Sequence, residues 1–556
     1  MLYLLFIVAL SVDESKFNDL TIYEIMLAAY QDGDPTIGYG IGYGPSMFKG
    51  DLQGVINGLE YIKSLGVNAI WLTPPFDCTY GQGGPVLQSS GYFSTNYFKI
   101  DPNFGTEATF RKLVEKAHSL GLYVFLDGVF GHHGGVSTKS PNGNMPVGTP
   151  SYVTYPDSLP YYAEVAQYWI NEFEIDGWRL DQVIQLNQNG HNYMKEIREA
   201  IYAICDRRKQ AGKTWGTLGY IVGEEWDGVE AINMHTYSGD GLRSAFDFNS
   251  RYYLVQGAAQ EESGKGGFGI ETFANVHRTP QEKGYINGVY PNLFVSNHDT
   301  WRFGNLVRAR YNVSVDDDLY WKIHKMAIAA LAIYTGPITF FYGDEYGDIT
   351  SCWYGNREDC GPTTFSDNCG RTDGKIDNFN DRQTDLIQFT RRMLKVRNEH
   401  TSMTNGNYSR FFDKGDLYIN IKSDQQNSDQ VLYATTLSST TRFVQINATK
   451  DRLVDVINGE VISNIGGKFS LTLNPYETRV FTIEDNIPDE KSAQENRNKK
   501  KRRTWLIVAG CAGLVLLIVL IILIVQLVKS RSKKSGTVVD DQDPLLENDH
   551  DGYTGM

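Results

Sequence analysis

Positive charge is under-represented in this chain of 556 residues: 52 Lys and Arg face 66 Asp and Glu, leaving a formal net charge of −14. That balance argues against a nucleic-acid partner, whose phosphates need a basic surface. Cysteine is sparse, six in all, and none stands in a Cys-x-x-Cys pair, so nothing indicates zinc. Cys352, Cys360 and Cys369 share one loop-like stretch and could close one local disulfide. With Cys78 and Cys205 they make an odd number outside the apolar run that holds Cys511, which leaves at least one free thiol. A Gly-rich phosphate turn is missing after the first predicted strand, which counts against a doubly wound dinucleotide-binding sheet. The Gly- and Tyr-rich run 38–44 has no helix of that type after it and reads as a loop.

What is present is globular: 41% hydrophobic and 21% charged residues, over a length that suggests two or three domains. Aromatics reach 13%, with 34 Tyr. Such rings serve as core or as platforms for flat ligands, sugar faces included.

The two ends carry their own signals. Residues 1–12 form a short apolar run that turns acidic at Asp13-Glu14, as in a signal peptide, although no Lys or Arg precedes it. Residues 505–528 are almost unbroken in apolarity; at roughly 1.5 Å per residue they would extend about 36 Å, enough for a hydrocarbon layer of about 30 Å. This predicts one transmembrane helix. Basic residues flank it on both sides, and their bias alone would place the large N-terminal part in the cytosol. A signal peptide overrides that bias, and sequons at Asn312, Asn407 and Asn447 fit a lumenal glycoprotein. The tail, 529–556, contains Asp541-Gln-Asp-Pro-Leu545-Leu546, resembling an acidic dileucine signal, and Tyr553-Thr-Gly-Met556, resembling a tyrosine-based one. The expectation is a single-pass type I membrane protein, its large part lumenal or extracellular. Sorting adaptors would then take it to an endosome- or lysosome-like compartment or the cell surface.

Between the ends, β-branched runs alternate with helical patterns. Strands are predicted at 20–26, 68–72, 123–126, 177–180, 220–222, 244–246, 292–295 and 339–342. Helices are predicted at 52–65, 107–120, 159–173, 193–208 and 320–335. Eight strands alternating with helices point to an α/β fold, a (β/α)8 TIM barrel spanning 13–403. Loops at 131–158, an inserted region after strand three, and at 343–382 stand out at strand ends, where such barrels build their sites. Residues 404–484 read as a C-terminal antiparallel β-sandwich domain, and 485–504 as a linker.

Four strand ends carry acidic chemistry: Asp127-Gly-Val-Phe-Gly-His132, Gly177-Trp-Arg179-Leu-Asp181, Gly223-Glu224-Glu225-Trp226 and Asn297-His298-Asp299. In this order and on these strands they resemble the motifs of the α-amylase family, glycoside hydrolase family 13. Gly50-Asp51-Leu-Gln-Gly54, Gly91-Tyr92, Ile100-Asp-Pro-Asn-Phe-Gly105 and Phe341-Tyr-Gly-Asp-Glu345 add to the resemblance, which covers about residues 20–484. It implies retaining hydrolysis of α-linked glucans, which takes one nucleophilic carboxylate and one carboxylic acid across the scissile bond.

On that resemblance Asp181 is the nucleophile. Arg179, two residues earlier on the same strand, points the same way and would keep it ionised. Glu224 is the general acid and base; Glu225 beside it is a source of repulsion that raises its pKa, or is simply solvated. Asp299 is the third carboxylate, gripping sugar hydroxyls. His132, His298, Tyr92 and Asp127 belong to the same sugar site, and Arg302 is expected to orient Asp299. Two departures concern calcium. Calcium-binding members carry Asn before the first-motif His and often His four residues after the nucleophile; here these places hold Gly131 and Gln185. No calcium is expected at that site and no cofactor is required. Asp32-Gly-Asp34 reads as a turn before it reads as a cation site. An α-glucosidase or a glucanotransferase of the same family fits the motifs equally. A non-catalytic barrel, as in membrane transporter subunits, fits less well, since all three carboxylates are present.

Overall fold

The computed structural model describes residues 12–350, 370–486 and 524. Eight short strands run parallel: β1 (Thr21–Ile25), β2 (Ala69–Leu72), β3 (Tyr123–Gly128), β4 (Gly177–Leu180), β5 (Tyr220–Gly223), β6 (Ser244–Ala245), β7 (Leu293–Phe294) and β8 (Ile338–Phe341). Their order is β6-β5-β4-β3-β2-β1-β8-β7. A parallel bridge between Phe246 and Asn292 joins the two outer strands. Asn292 N donates to Ala245 O and Asp247 N to Asn292 O, both at 2.8 Å, so the sheet closes on itself. These strands are buried on both faces, which is why β2 reads Ala-Ile-Trp-Leu with no polar alternation.

The main helices outside the ring are α1 (Leu52–Leu65), α2 (Glu107–Ser119), α3 (Leu159–Phe173), α4 (Met194–Gln210), α5 (Val229–Ile232), α6 (Phe248–Ala258), α7 (Asp318–Ala332) and α8 (Asp381–Glu399). Helix α1 shows how the sequence sets them. Leu52, Val55, Leu59, Ile62 and Leu65 recur every three or four residues and are buried. Asp51 caps its start, accepting from Gly54 N at 2.8 Å, and Gly66 ends it in the left-handed conformation at φ 102°. Asp51 also accepts from Gly33 N and Asp34 N, while Asp34 accepts from Thr36 N and Oγ1, so the 32–34 stretch is a turn clasped to the helix start.

All eight strands and all five predicted helices lie where the sequence pattern puts them, with ends shifted by at most three residues. The inserted region 131–158 keeps little regular structure beyond a hairpin of Gly148–Thr149 with Tyr152–Val153. Not foreseen is a second hairpin, Phe76–Asp77 with Asn96–Ile100, which carries the loop of Tyr92. Its first strand is only two residues long and leaves no period to read.

The C-terminal part is antiparallel: β9 (Asn407–Lys414), β10 (Leu417–Asp424), β11 (Asp429–Thr436), β12 (Arg442–Asn447), β13 (Arg452–Asp455), β14 (Val461–Ser463), β15 (Lys468–Leu473) and β16 (Thr478–Glu484). Six strands form one sheet, β9-β10-β11-β16-β13-β14, and β12 pairs with β15 in another. Strand β15 alternates exposed and buried residues, and its Phe469, Leu471 and Leu473 meet Ile421, Leu432 and Phe481 of the larger sheet in a separate core.

The chain separates into two units, Met1–Asp485 and Asn486–Met556; the barrel and the β-domain both belong to the first. The expected transmembrane helix at 505–528, the tail and the local disulfide fall outside the described residues, apart from Ile524. So does the signal peptide, apart from Val12. Among the described residues no helix is long and apolar enough to cross a membrane, so the membrane-anchored part of the expected fold finds no support there. Cys78 and Cys205 are buried free thiols.

Candidate active site

The C-terminal ends of the strands converge on Arg179. In the β3–β4 register Asp127 lies directly beside Arg179, and Arg179 Nη1 donates to both Asp127 oxygens at 2.9 Å. The same nitrogen lies 2.9 Å from Asp181 Oδ1, and Nη2 lies 3.0 Å from Glu224 Oε2. One guanidinium, 1% exposed, therefore serves three carboxylates. The Trp71 ring sits beneath it at 5.2 Å. Asp181 and Glu224 each begin the turn after their strand, and both keep a small exposed surface, 6% and 7%.

A second cluster comes from β1 and the loops after β7 and β8. Glu24 Oε1 accepts from His298 N at 3.1 Å and faces His298 Nδ1 at 2.7 Å. His298 Nε2 is 3.1 Å from Asp299 Oδ2 and 2.7 Å from the Tyr92 hydroxyl. Tyr92 also donates to Asp127 at 2.8 Å, tying the clusters together, and its ring stacks on His298 at 5.3 Å. Arg371 completes the group: Nη2 donates to Asp299 Oδ1 at 2.9 Å and Nε to His298 O at 3.0 Å.

The two clusters titrate differently. Burial pushes Glu224 up to about 7, with Arg179 opposing and Asp181 and Asp299 adding to the rise. Burial likewise takes Asp181 and Asp127 to about 6 against the pull of Arg179. For Asp299 burial acts upward too, but the His298 cation and Arg371 outweigh it and hold the carboxyl well below the usual range. Burial opposes a charged His298, yet Asp299 and Glu24 raise it to about 10.

Asp181, Glu224 and Asp299 line one cleft of about 430 Å³, together with Trp226. A groove of about 560 Å³ continues past Trp226 and Asp299, lined by Tyr252, Tyr253 and Trp301. Trp226 is held in place by Phe248, stacked at 4.8 Å, and by donating to the Tyr252 hydroxyl at 2.7 Å.

Several expectations need correcting. Arg302 does not orient Asp299. It is 1% exposed, donates to Tyr342 O and to Thr372 Oγ1, and lies against Asp348 at 3.4 Å. Arg371 stands where Arg302 was expected, and no motif marked it. Glu24 was missed too, although an acid in the strand Thr-Ile-Tyr-Glu-Ile is a visible oddity. Asp127 is wholly buried, so it holds Arg179 and Tyr92 and does not face the cleft. Glu225 is neither solvated nor the source of the rise in Glu224. It is 3% exposed and turned to His235 Nδ1 and Thr236 Oγ1, both at 2.6 Å, on a π-turn at Asn233–Tyr237. Arg179 is placed as expected, but burial, with Asp127 and Asp299 adding to it, outweighs the pull of a guanidinium shared by three carboxylates, so Asp181 rises.

The model of the α-amylase catalytic domain matches residues 17–140 and 156–442. The chain belongs to the α-amylase family. It is 25% identical over 520 residues to the cyclomaltodextrinase of Geobacillus thermopakistaniensis strain MAS1, covering 84% of this chain and 77% of that one. It is 29% identical over 329 residues to the intracellular maltogenic amylase of Bacillus subtilis strain 168, covering 54% and 49%. Among solved structures, a variant of AmyP in complex with maltotriose has a TM-score of 0.78 and 36% identity, covering 85% of this chain and 98% of that one. The chain is an α-amylase-type glycoside hydrolase.

These relatives overturn the expected localisation. The type I membrane placement in an endosome- or lysosome-like compartment or at the cell surface is withdrawn: the matched relatives are bacterial enzymes, one of them named intracellular. No described helix supports an anchor.

At the α-amylase family's calcium position, Gly131 brings no side-chain donor. A Cβ added to it would fall 1.9 Å from Gln185 Oε1. The Gln185 carboxamide occupies that space, donating to Gln182 Oε1 at 2.9 Å and facing His132 Nδ1 at 3.4 Å.

Proposed function

We propose that this α-amylase family member is a retaining hydrolase of α-glucans such as starch, glycogen or maltooligosaccharides. In this reading Asp181 is the nucleophile, Glu224 the acid and base, and Asp299 the carboxylate that steadies the sugar. The observation that carries it is one cleft at the barrel mouth lined by Asp181, Glu224 and Asp299 together. Glu224 holds its proton to about 7, whereas Asp299 is held ionised. A carboxyl that keeps its proton near neutrality beside a carboxylate able to attack is what acid-assisted retaining cleavage needs, and Glu224 is raised further than Asp181.

Glu224 protonates the glycosidic oxygen while Asp181 Oδ attacks the anomeric carbon; the C–O bond to the leaving sugar breaks and a glycosyl ester forms. Glu224, now ionised, takes a proton from water, which attacks the same carbon and releases Asp181. Asp299, next to the His298 cation, grips sugar hydroxyls and stabilises the cation-like transition state. Tyr92 and His132 flank that sugar. Glu24 and Arg371 hold Asp299 and His298 in place.

The donors at the family's calcium position do not suit that cation, since Gly131 offers none and Gln185 is engaged. Activity is expected to survive chelation of calcium. The groove past Trp226 supports internal attack on a longer chain over trimming of single residues.

A product profile tests the reading. The full chain is incubated with maltoheptaose, maltose and a cyclomaltodextrin, with Asp181→Asn as the blank. Short maltooligosaccharides from the heptaose, with maltose untouched, are expected. Stepwise glucose would mean an α-glucosidase, and products longer than the start a glucanotransferase. Equal turnover by Asp181→Asn would remove the assignment of roles.

A further inference from the structure

A ring of side-chain and main-chain contacts joins the candidate nucleophile to the candidate acid by way of Gln182, Gln185 and His132. Gln182 follows Asp181 at φ 39°, left-handed for a residue with a side chain. Its N–H donates to Glu224 Oε2 at 3.1 Å, and its side-chain oxygen accepts from Gln185 Nε2 at 2.9 Å. With its amide group directed at Gln182, Gln185 turns its carbonyl oxygen to His132 Nδ1 at 3.4 Å. That nitrogen is in turn 3.9 Å from Asp181 Oδ2. The main chain of Gln185 is fixed as well, its carbonyl accepting from Gln188 Nε2 at 2.8 Å.

Gly131 makes the room. The three atoms nearest an added Cβ all belong to the Gln185 side chain, at 1.9, 2.5 and 2.8 Å. Gly131 has no left-handed φ, so what glycine supplies here is space and not backbone freedom.

We propose that Gln185 is a positioning residue that couples His132 to the Gln182–Glu224 turn, and that Gly131 is glycine in order to admit it. A half-buried carboxamide thus does the bridging in this loop, and it does so with both ends of its amide engaged. The inference rests on the proposed function in one respect, that His132 contacts the sugar.

The test is a double-mutant cycle in the full chain, with kcat and KM on maltoheptaose and a thermal melt for each variant. Gln185→Gly is expected to lower kcat about tenfold, as His132 and the Gln182–Glu224 turn lose roughly one hydrogen bond that positions them for the transition state, with KM within about twofold of wild type. Gly131→Ala is expected to cost a similar factor alone and less than about twofold in the Gln185→Gly background. Unchanged kcat in Gln185→Gly overturns the proposal. So does an alanine at 131 that costs as much with Gln185 absent as with it present. If Gly131→Ala does not fold but the double variant does, the proposal stands; if neither folds, the glycine serves something else and the proposal falls. Asp181→Asn run alongside separates the two readings. If it keeps turnover, the proposed function fails. If it is inactive while Gln185→Gly is normal, only the positioning role fails.

Discussion

The two clusters at the barrel mouth behave in opposite ways, and they differ in exposure too: the Asp299 side chain is 22% exposed, those of Asp181 and Glu224 7% and 9%. Around Arg179, three carboxylates share a single guanidinium, and burial wins: Asp127, Asp181 and Glu224 all rise. Around His298, Asp299 has the imidazolium on one oxygen and Arg371 on the other, and the cations win. Glu24 tests the rule within its own cluster, because its one hydrogen-bonded cation is His298, and burial raises it. The number of cations per carboxylate, together with exposure, therefore sorts the groups able to hold a proton from the one that stays charged. A hydrolase needs both kinds within reach of one sugar.

The largest expected effect comes from removing the proton donor. Glu224→Gln should lower kcat on maltoheptaose by about 10²–10⁴, the range of general acid catalysis. Removing one claimant on Arg179 should also lower the pKa of Asp181, so the acid limb of the residual activity should move to lower pH. In wild type the bell-shaped kcat/KM profile should have limbs near about 6 and about 7, as macroscopic values of the coupled pair. A residual acid limb that stays in place would break the comparison between clusters.

Next in size is the loss of the shared cation. Arg179→Met leaves three buried carboxylates unmatched, a cost of about 3–5 kcal/mol. The sign of the pH dependence is set by their raised pKa values. Carboxyls whose folded pKa exceeds the unfolded one favour the fold at low pH and lose that contribution as pH rises. Urea unfolding should therefore show the variant closer to wild type at pH 5 than at pH 7. A deficit that grows on acidification would contradict the account.

Arg371→Met probes the other cluster. Asp299 then keeps only His298 as a close cation and should rise toward the pattern of Glu24. A loss of about tenfold in kcat/KM at neutral pH is expected, in keeping with one charge-assisted hydrogen bond. The loss should deepen as pH falls and Asp299 takes up a proton. An equal loss at pH 5 and pH 7 would mean that Arg371 acts through the loop and not through charge.

What the sequence made legible follows from how each residue is placed. Asp181, Glu224 and Asp299 stand directly after strands or within short motifs, so their position in the chain fixes their position at the barrel mouth. Short apolar, β-branched runs located the strands, because a parallel ring buries both faces and leaves no polar alternation. Arg371 stayed invisible because it stands 72 residues from Asp299 in the chain and in none of the short motifs, so no local pattern marks the contact. Arg302 misled for the converse reason: it is close in sequence to Asp299 but turned under the Phe341 and Tyr342 rings. Glu225 misled because a π-turn lets His235 and Thr236 reach back to it, and such a turn has no sequence period.

The smallest expected effect is also the cleanest on sign. Glu24→Gln keeps the shape beneath His298 and removes one charge, so the His298 pKa should fall from about 10 toward that of an ordinary imidazole. A histidine whose folded pKa is raised contributes stability that is complete below its unfolded value of about 6.5 and is lost as pH rises through the folded value. The variant should therefore be less stable than wild type by about 1 kcal/mol at pH 7, one charge-assisted hydrogen bond reduced to a neutral one. Most of the difference should be gone by pH 10.5, where the larger part of wild-type His298 has lost its charge. Urea midpoints at the two pH values decide it. A gap that persists in full at pH 10.5 would assign Glu24 a packing role, and the cation count would no longer explain why Asp299 and Glu24 differ.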